Sequence, residues 1–186
     1  MRILHTSDWH LGISSGHCSR SADHDLFLEW LLAQLAAREI DVLVIAGDVF
    51  DSMQPAAEAQ ARYFRFLVRA GATGVRQVVV VGGNHDSASR LDAPAEVLAA
   101  LDVHVVGGLH ATDDAADRFL VPLRTREADE VCAVALAVPY VHEYRLGVRT
   151  TDLDQMVVRA SFAERFGALY TRLADRAQER WPGVPL

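Results

Sequence analysis

The chain has 186 residues, which fits one domain with a substantial core, and its hydrophobic content of 51% argues against disorder. A net charge of −7 argues against a broad basic surface for nucleic acid, and two cysteines in unrelated contexts argue against a disulfide framework. Without an apolar run of about 20 residues or a charged-then-apolar leader, we expect a cytoplasmic protein with no membrane span.

Strand-like and helix-like patterns alternate over the first 106 residues. Four apolar runs are typical of strands buried in a sheet: 2–7, 41–46, 76–81 and 103–106. Three stretches between and beside them have helical spacing: 22–38, 56–69 and 92–101. Ser21 is a candidate N-cap for the first helix, Pro55 precedes the second, and Pro94 lies in the first turn of the third. This alternation predicts βαβ units around a mainly parallel sheet.

The pattern changes after residue 106. Residues 119–121 and 131–138 indicate two further strands that are close enough in sequence to form a hairpin, and hence a second or mixed sheet. Residues 153–180 indicate a long amphipathic helix, which the Trp-Pro-Gly sequence at 181–183 ends. The aromatic stripe on that helix is either core or an uncovered face.

Polar side chains follow the first three predicted strands. Asp8 and His10 come after the first, Asp48 after the second, and Asn84 and His85 after the third. Because the carboxyl ends of parallel strands meet at one edge of a sheet, we expect these side chains to converge. Their oxygen and nitrogen atoms suit one or two hard or borderline divalent metals.

A two-metal phosphoesterase would use these residues in distinct ways. Asp48, on the middle loop, is the best candidate to bridge two ions; Asp8 and His10 would hold one ion, and Asn84 the other through its carbonyl oxygen. His85 would protonate the leaving oxygen or stabilise the phosphate, and Asp86 would orient His85 by hydrogen bonding, so the two form the predicted catalytic pair. Glycines at 47, 82 and 83 would let the backbone turn next to the ions.

The three motifs D-x-H, G-D-x-x-D and G-N-H-D, in this order, resemble the signature of calcineurin-like metallophosphoesterases. The residues around them, up to about residue 91, resemble more narrowly the SbcD group of bacterial double-strand-break repair nucleases. The resemblance implies a four-layer α-β-β-α sandwich and two Mn²⁺ ions, with Mg²⁺ or another divalent metal as the alternative. It also implies hydrolysis of DNA ends and hairpins in repair and recombination, an SbcC-like ATPase partner and a homodimer of the full-length protein.

One departure from the family pattern leaves alternatives open. The family completes its metal site with later G-H and G-H-x-H motifs, whereas this chain has no histidine after His142. We therefore expect residues 1–186 to be the N-terminal part of a single nuclease domain, incomplete at the C-terminus. The alternatives are a phosphoesterase that acts on a nucleotide or a phosphoprotein, or an inactive, metal-poor fragment.

Other polar and aromatic residues are assigned plainer roles. Asp51 is expected to order its loop rather than bind metal, and His5 to pack in the core. Trp9 either packs under the site or touches substrate, and His142 is a minor candidate for a replacement ligand. Surface roles are expected for His17, His24, His104 and His110, and phosphate contacts or surface ion pairs for Arg20 and Arg90.

Overall fold

The computed structural model of the chain describes residues 1–109, 116–148 and 154–186. Its first part contains, in order, β1 (Ile3–Thr6), β2 (Ser14–Ser15), β3 (Cys18–Ser19), α1 (Ser21–Ala37), β4 (Val42–Ala46), α2 (Ala57–Ala72), β5 (Gln77–Val81), α3 (Ala88–Asp92), α4 (Ala95–Ala99) and β6 (Val103–Val106). Its later part contains β7 (Leu120–Arg124), β8 (Val131–Leu136) and α5 (Gln155–Arg180), with short 3₁₀ turns at Ala116–Phe119 and Glu143–Leu146.

The four strands predicted from the apolar runs form one parallel sheet in the order β1-β4-β5-β6. Helices α1 and α2 cover one face of this sheet, where Leu43, Ile45 and Val80 are buried against them. The other face, with Val42 and Val79, packs against the antiparallel hairpin β7–β8. The predicted parallel sheet and the hairpin are thus both confirmed.

Helix α5 supplies the outermost layer. Leu169, Leu173 and Ala177 are buried in the same apolar cluster as the hairpin. The order of layers is therefore helices, parallel sheet, hairpin and helix, in agreement with the expected α-β-β-α arrangement. Helix α5 begins after Asp154, whose carboxylate accepts the N–H of Met156 at 2.7 Å, and it ends at Arg180 as the Trp-Pro-Gly sequence predicts.

Gln77 joins the two sheets in the interior. This side chain is 2% exposed; its amide nitrogen donates to the Pro122 carbonyl at 3.0 Å and its amide oxygen accepts the N–H of Arg124 at 2.7 Å. The register of the hairpin shifts between Leu123 and Arg124, so the glutamine serves main-chain groups at this irregularity. A buried polar group of this kind is stable only when its hydrogen bonds are made.

The beginning of α1 differs from the prediction. Ser21 is the first residue of the helix and not its N-cap; Arg20 occupies the cap position, and the hydroxyl of Ser19 accepts the N–H of Ser21 at 3.2 Å. The reason is a small hairpin, β2–β3, which runs directly into the helix and was not predicted. Two-residue strands are too short to show an apolar alternation.

The third predicted helix is also different. Residues 92–101 do not form one helix: α3 ends at Asp92 and α4 begins at Ala95, with Pro94 at its N-cap. Proline has no N–H to donate and restricts the residue before it, so it separates the two short helices. The second helix extends beyond the predicted residue 69, because α2 continues through Gly71 to Ala72.

The first strand is less buried than predicted. Ile3 is 48% exposed, and His5, expected to pack in the core, is exposed as well. Both residues pair with β4 in register with Val42 and Val44, and so lie on the face that the hairpin covers further into the sheet. Because β1 is an edge strand, that cover does not reach them.

Candidate metal and phosphoester site

Three loops that follow β1, β4 and β5 meet at one edge of the parallel sheet. Asp8, His10 and Asp48 each offer a ligand atom within 4.8 Å of the others. His10, Asp51 and His85 form a second group within the same limit, so the two groups share His10. The predicted convergence of the three loops is confirmed.

Main-chain hydrogen bonds hold the first two loops together beyond the ends of their strands. The N–H of Asp8 donates to the Gly47 carbonyl at 3.1 Å, and the N–H of His10 donates to the Asp48 carbonyl at 2.9 Å. Leu11 continues this ladder by donating to Val49 at 2.9 Å. These main-chain hydrogen bonds therefore fix the positions of the two residues whose carboxylates enter the site, Asp8 and Asp48.

The backbone at these positions is unusual. Asp8, His10 and Asp48 have φ angles of 56°, 46° and 49°, in the left-handed region that residues with a side chain rarely adopt. Such conformations cost about 1–3 kcal/mol each and cluster at functional sites, although Glu39 and Asp102 adopt them outside the two ligand groups. Gly47 supplies the turn before Asp48 with a φ of 91°, and a Cβ atom on Gly83 would collide with the Asp48 side chain.

Asp86 connects the second and third loops and does not orient His85 as expected. Its Oδ2 accepts the N–H groups of Gly83 at 2.9 Å and Val49 at 3.1 Å, and its Oδ1 accepts that of Phe50 at 2.9 Å. The carboxylate is buried, and this burial raises its pKa in spite of the three donors. Both oxygens are turned toward main-chain donors, so the side chain is engaged away from the imidazole.

His85 is oriented instead by the loop that carries Asp51. Its Nδ1 lies 3.1 Å from the carbonyl oxygen of Asp51, and its main-chain N–H donates to Asp48 Oδ1 at 3.0 Å. The contact with the Asp51 carbonyl, followed by the charge of Asp48, raises the pKa of His85. The ring packs edge-on against His10, with the ring centres 4.9 Å apart.

The described donor atoms fit a divalent cation. Two carboxylates, Asp8 and Asp48, and the imidazole of His10 offer ligand atoms that lie within 4.8 Å of one another. The buried Nδ1 of His10 has no hydrogen-bond partner among the described residues, although Asp51 Oδ1 lies 3.4 Å away. Carboxylate and imidazole ligands together suit Mn²⁺, Mg²⁺ or Zn²⁺, so the chemistry of the set does not choose among them.

Asn84 lies beside the two carboxylates. An open cleft of about 350 Å³ is lined by Asp8, Asp48, Asn84 and Tyr140 among others. Tyr140 was not predicted as a site residue; it comes from the segment after β8, and its N–H donates to the Gly82 carbonyl at 2.8 Å. Its place in the cleft depends on a contact between distant parts of the chain, which no local pattern shows.

Other predicted residues have the following positions. Trp9 is buried beneath the site, with its ring edge-on to Phe27 and Phe66, so it packs under the loop rather than facing the cleft. Arg20 forms an ion pair with Asp23, the plainer of its two expected roles. Asp51 was expected to order its loop rather than bind metal; its main-chain carbonyl contacts His85, and its carboxylate is part of the second ligand group.

The remaining histidines fall outside both ligand groups of the described residues. His104, expected at the surface, is partly buried; its Nε2 lies 3.4 Å from the amide nitrogen of Gln77, and burial lowers its pKa. His17 is exposed, His24 is partly buried on α1, and His110 is outside the described residues. His142 lies next to Tyr140, away from the carboxylates.

The sequence model of the calcineurin-like phosphoesterase family matches residues 1–129. The chain therefore belongs to the calcineurin-like phosphoesterases, the class of protein that the parallel sheet and its ligand-bearing loops define. Among curated proteins it is similar to the SbcD subunit of the SbcCD nuclease of Rhodobacter capsulatus, with 45% identity over 178 residues that cover 88% of this chain and 43% of that protein.

Two further relatives have the same name. The SbcD subunit of Escherichia coli K12 is 45% identical over 106 residues, which cover 57% of this chain and 26% of the relative. That of Bacillus subtilis is 30% identical over 177 residues, which cover 95% and 43%. The chain thus spans less than half the length of these relatives. Within the described ranges, no helix is both long and apolar enough to cross a bilayer.

Proposed function

We propose that this chain is the metal-binding N-terminal part of an SbcD-type nuclease domain that hydrolyses phosphodiester bonds in DNA. The observation that carries this proposal is the meeting of Asp8, His10 and Asp48 within 4.8 Å, with Asn84 and His85 at the same rim. Membership of the phosphoesterase family supports the reaction, and the similar proteins are named as subunits of a nuclease, which supports a nucleic acid as the substrate.

The proposed roles follow the geometry. Asp48, on the middle loop, would bridge two ions, Asp8 and His10 would hold one of them, and Asn84 would contribute to the other. Bound metal ions would neutralise the phosphate oxygens and lower the pKa of a water molecule. His85, held through Nδ1 by the Asp51 carbonyl, would direct Nε2 to the leaving oxygen and donate a proton there.

Asp86 has a supporting role in this proposal. By joining the Gly83 turn to Val49 and Phe50, it keeps the loop that carries Asp48 in register with the loop that carries His85. This differs from the catalytic pairing expected from the sequence. It predicts that a change at Asp86 acts through the positions of other side chains.

Several further points rest on the sequence and on the resemblance that it shows. Mn²⁺ as the native metal, an SbcC-like ATPase as partner, a homodimer and a cytoplasmic location stay predictions. The absence of histidine after His142 favours a second candidate, in which residues 1–186 alone bind metal weakly or hold a single ion. Calorimetric titration of residues 1–186 with Mn²⁺ distinguishes the two: tight binding of two ions excludes the metal-poor candidate.

The test of the nuclease proposal uses the whole reading frame that encodes this chain. Linear duplex DNA and the small diester bis(p-nitrophenyl) phosphate are incubated with the protein and Mn²⁺, with and without EDTA. We expect Mn²⁺-dependent release of nucleotides from DNA. Efficient cleavage of the small diester without release from DNA would instead assign the protein to another phosphoesterase class.

A further inference from the structure

A second cleft, of about 310 Å³, adjoins the metal site. It shares Gly83, Asn84 and Tyr140 with the first cleft and extends from them toward the turn that follows β6. Any polymer whose phosphodiester lies over Asp8 and Asp48 must leave that cleft in some direction. The shared border makes this second cleft a continuous path out of the site.

One wall of the second cleft is aromatic. The rings of His142 and Tyr144 are stacked, with centres 5.4 Å apart and planes inclined by 18°. Tyr140 packs edge-on against His142, with the ring centres 4.8 Å apart. Tyr140 and Tyr144 are 49% and 63% exposed, which is unusual for large rings that are not partnered by another surface.

A basic side chain stands at the end of this wall. The guanidinium of Arg145 lies 5.1 Å from the centre of the Tyr144 ring. No carboxylate in residues 1–109, 116–148 or 154–186 forms an ion pair with Arg145. Ser87 and Ser89 also line this cleft.

We infer that this second cleft binds the nucleotide next to the scissile phosphate in a single-stranded DNA end: the Arg145 guanidinium moves from the Tyr144 ring to the phosphate, and the base stacks on the face of Tyr144 that the guanidinium covers in the free protein. Exposed aromatic rings together with arginine are the usual means by which proteins hold single strands without reading their sequence. The inference rests on the proposed nuclease function. It adds a substrate subsite, and it assigns substrate-binding roles to Tyr144, His142 and Arg145.

The arrangement favours a nucleotide over a protein segment. A base presents a flat face of the size of these rings, and its phosphate lies within reach of a side-chain guanidinium. The direct continuity with a site that binds phosphodiesters supplies the second reason. A protein partner docked here would cover the path that the strand takes from the metals.

The first test is kinetic and uses the complete protein with Mn²⁺. Tyr144→Ala and Arg145→Ala are compared with Tyr170→Ala and Arg172→Ala, which change α5 residues that line neither cleft. We expect Tyr144→Ala to raise the ratio of KM for oligothymidylate to KM for bis(p-nitrophenyl) phosphate about ten-fold, the usual effect of one lost stack. Tyr144→Trp, which keeps the stack, should restore the ratio.

The salt dependence of the same KM isolates the arginine. Arg145→Ala should reduce the slope of log KM against log salt concentration by about 0.7, the contribution of one phosphate contact in single-stranded DNA. Arg172→Ala should leave the slope unchanged. Unaltered KM ratios and salt slopes in the cleft variants, with active wild-type protein, would overturn the subsite alone. If the wild type releases no nucleotides from DNA, the nuclease proposal itself fails.

A second measurement does not depend on turnover. Oligonucleotides that carry 5-iododeoxyuridine are photo-crosslinked to the His85→Ala protein, and the adduct is mapped by mass spectrometry. We expect the adduct on Tyr144 or His142. The inference would be overturned by adducts confined to residues outside the cleft. It would also be overturned if Tyr144→Ala lost binding of the ATPase partner without any change in crosslinking, because the wall would then bind the partner and not the nucleotide.

Discussion

The substitution Asp86→Asn tests how the scaffold positions the site. The carboxylate of Asp86 accepts three main-chain N–H groups, two at Oδ2 from Gly83 and Val49 and one at Oδ1 from Phe50. Asparagine has the same shape but only one accepting oxygen. If that oxygen takes the place of Oδ2, the amide nitrogen faces the N–H of Phe50, and two donors then oppose each other.

The magnitude follows from this geometry. A buried N–H without a partner costs about 1–3 kcal/mol, and the two remaining bonds lose their charge assistance. In the other direction, a neutral amide is easier to bury than a carboxylate, and the raised pKa of Asp86 shows that its ionised form is penalised. We therefore expect the free energy of unfolding to fall by about 2 kcal/mol, which for a chain of this size lowers Tm by about 4–8 °C.

The assay is urea unfolding of residues 1–186 in EDTA, so that the effect of metal binding is excluded. Asp129→Asn, which changes a carboxylate that is 90% exposed, is the matched control and should alter the free energy by less than about 0.5 kcal/mol. Should Asp86→Asn prove as mild as this control, the three hydrogen bonds would not hold the loops together, and the supporting role assigned to Asp86 would be wrong.

Further substitutions separate the roles of site and scaffold residues. His85→Ala should keep bound Mn²⁺ but lower turnover by about 10²–10⁴-fold, whereas Asp48→Ala should lose both metal and turnover. Calorimetry measures the bound metal, and a DNA hydrolysis assay measures turnover. Loss of metal from the His85 variant would contradict its role as proton donor. Gln77→Leu should lower the free energy of unfolding by about 2–4 kcal/mol in a urea titration, because two main-chain groups lose their partner, while Gln178→Leu on the surface should have little effect. Burial lowers the pKa of His104, so the unfolded chain takes up a proton at this residue before the folded protein does as the pH falls. The free energy of unfolding should therefore decline below about pH 6.5. Urea titrations across pH should show a smaller decline for His104→Leu, and an unchanged decline would contradict this reasoning.

The core of the fold could be predicted because apolar runs and helical spacing, which are local patterns, mark its strands and helices. Valine-rich runs such as Val78–Val81 are long enough to mark buried strands, and the helices between them imply parallel pairing. The same reasoning places Asp8, Asp48 and His85 at one edge of the sheet. That inference needs only the direction of the strands and the positions of the polar residues after them.

What could not be predicted depends on contacts between distant residues. The exposure of His5 follows from the edge position of β1, and a strand's place in the order of a sheet has no local signature. The donors around Asp86 come in part from a loop more than 30 residues earlier, so its sequence neighbour His85 was a reasonable but incorrect partner. Tyr140 enters the cleft from the second sheet for the same reason.

The left-handed backbone at Asp8, His10 and Asp48 lowers the stability of the chain at the residues that the proposed metal site requires. Glycine adopts such φ angles without steric penalty, so replacement of any of these residues by glycine would relieve backbone strain while removing a proposed metal ligand. Selection of variants for thermal stability alone would therefore enrich glycine at these turns and yield more stable proteins that lack the proposed activity.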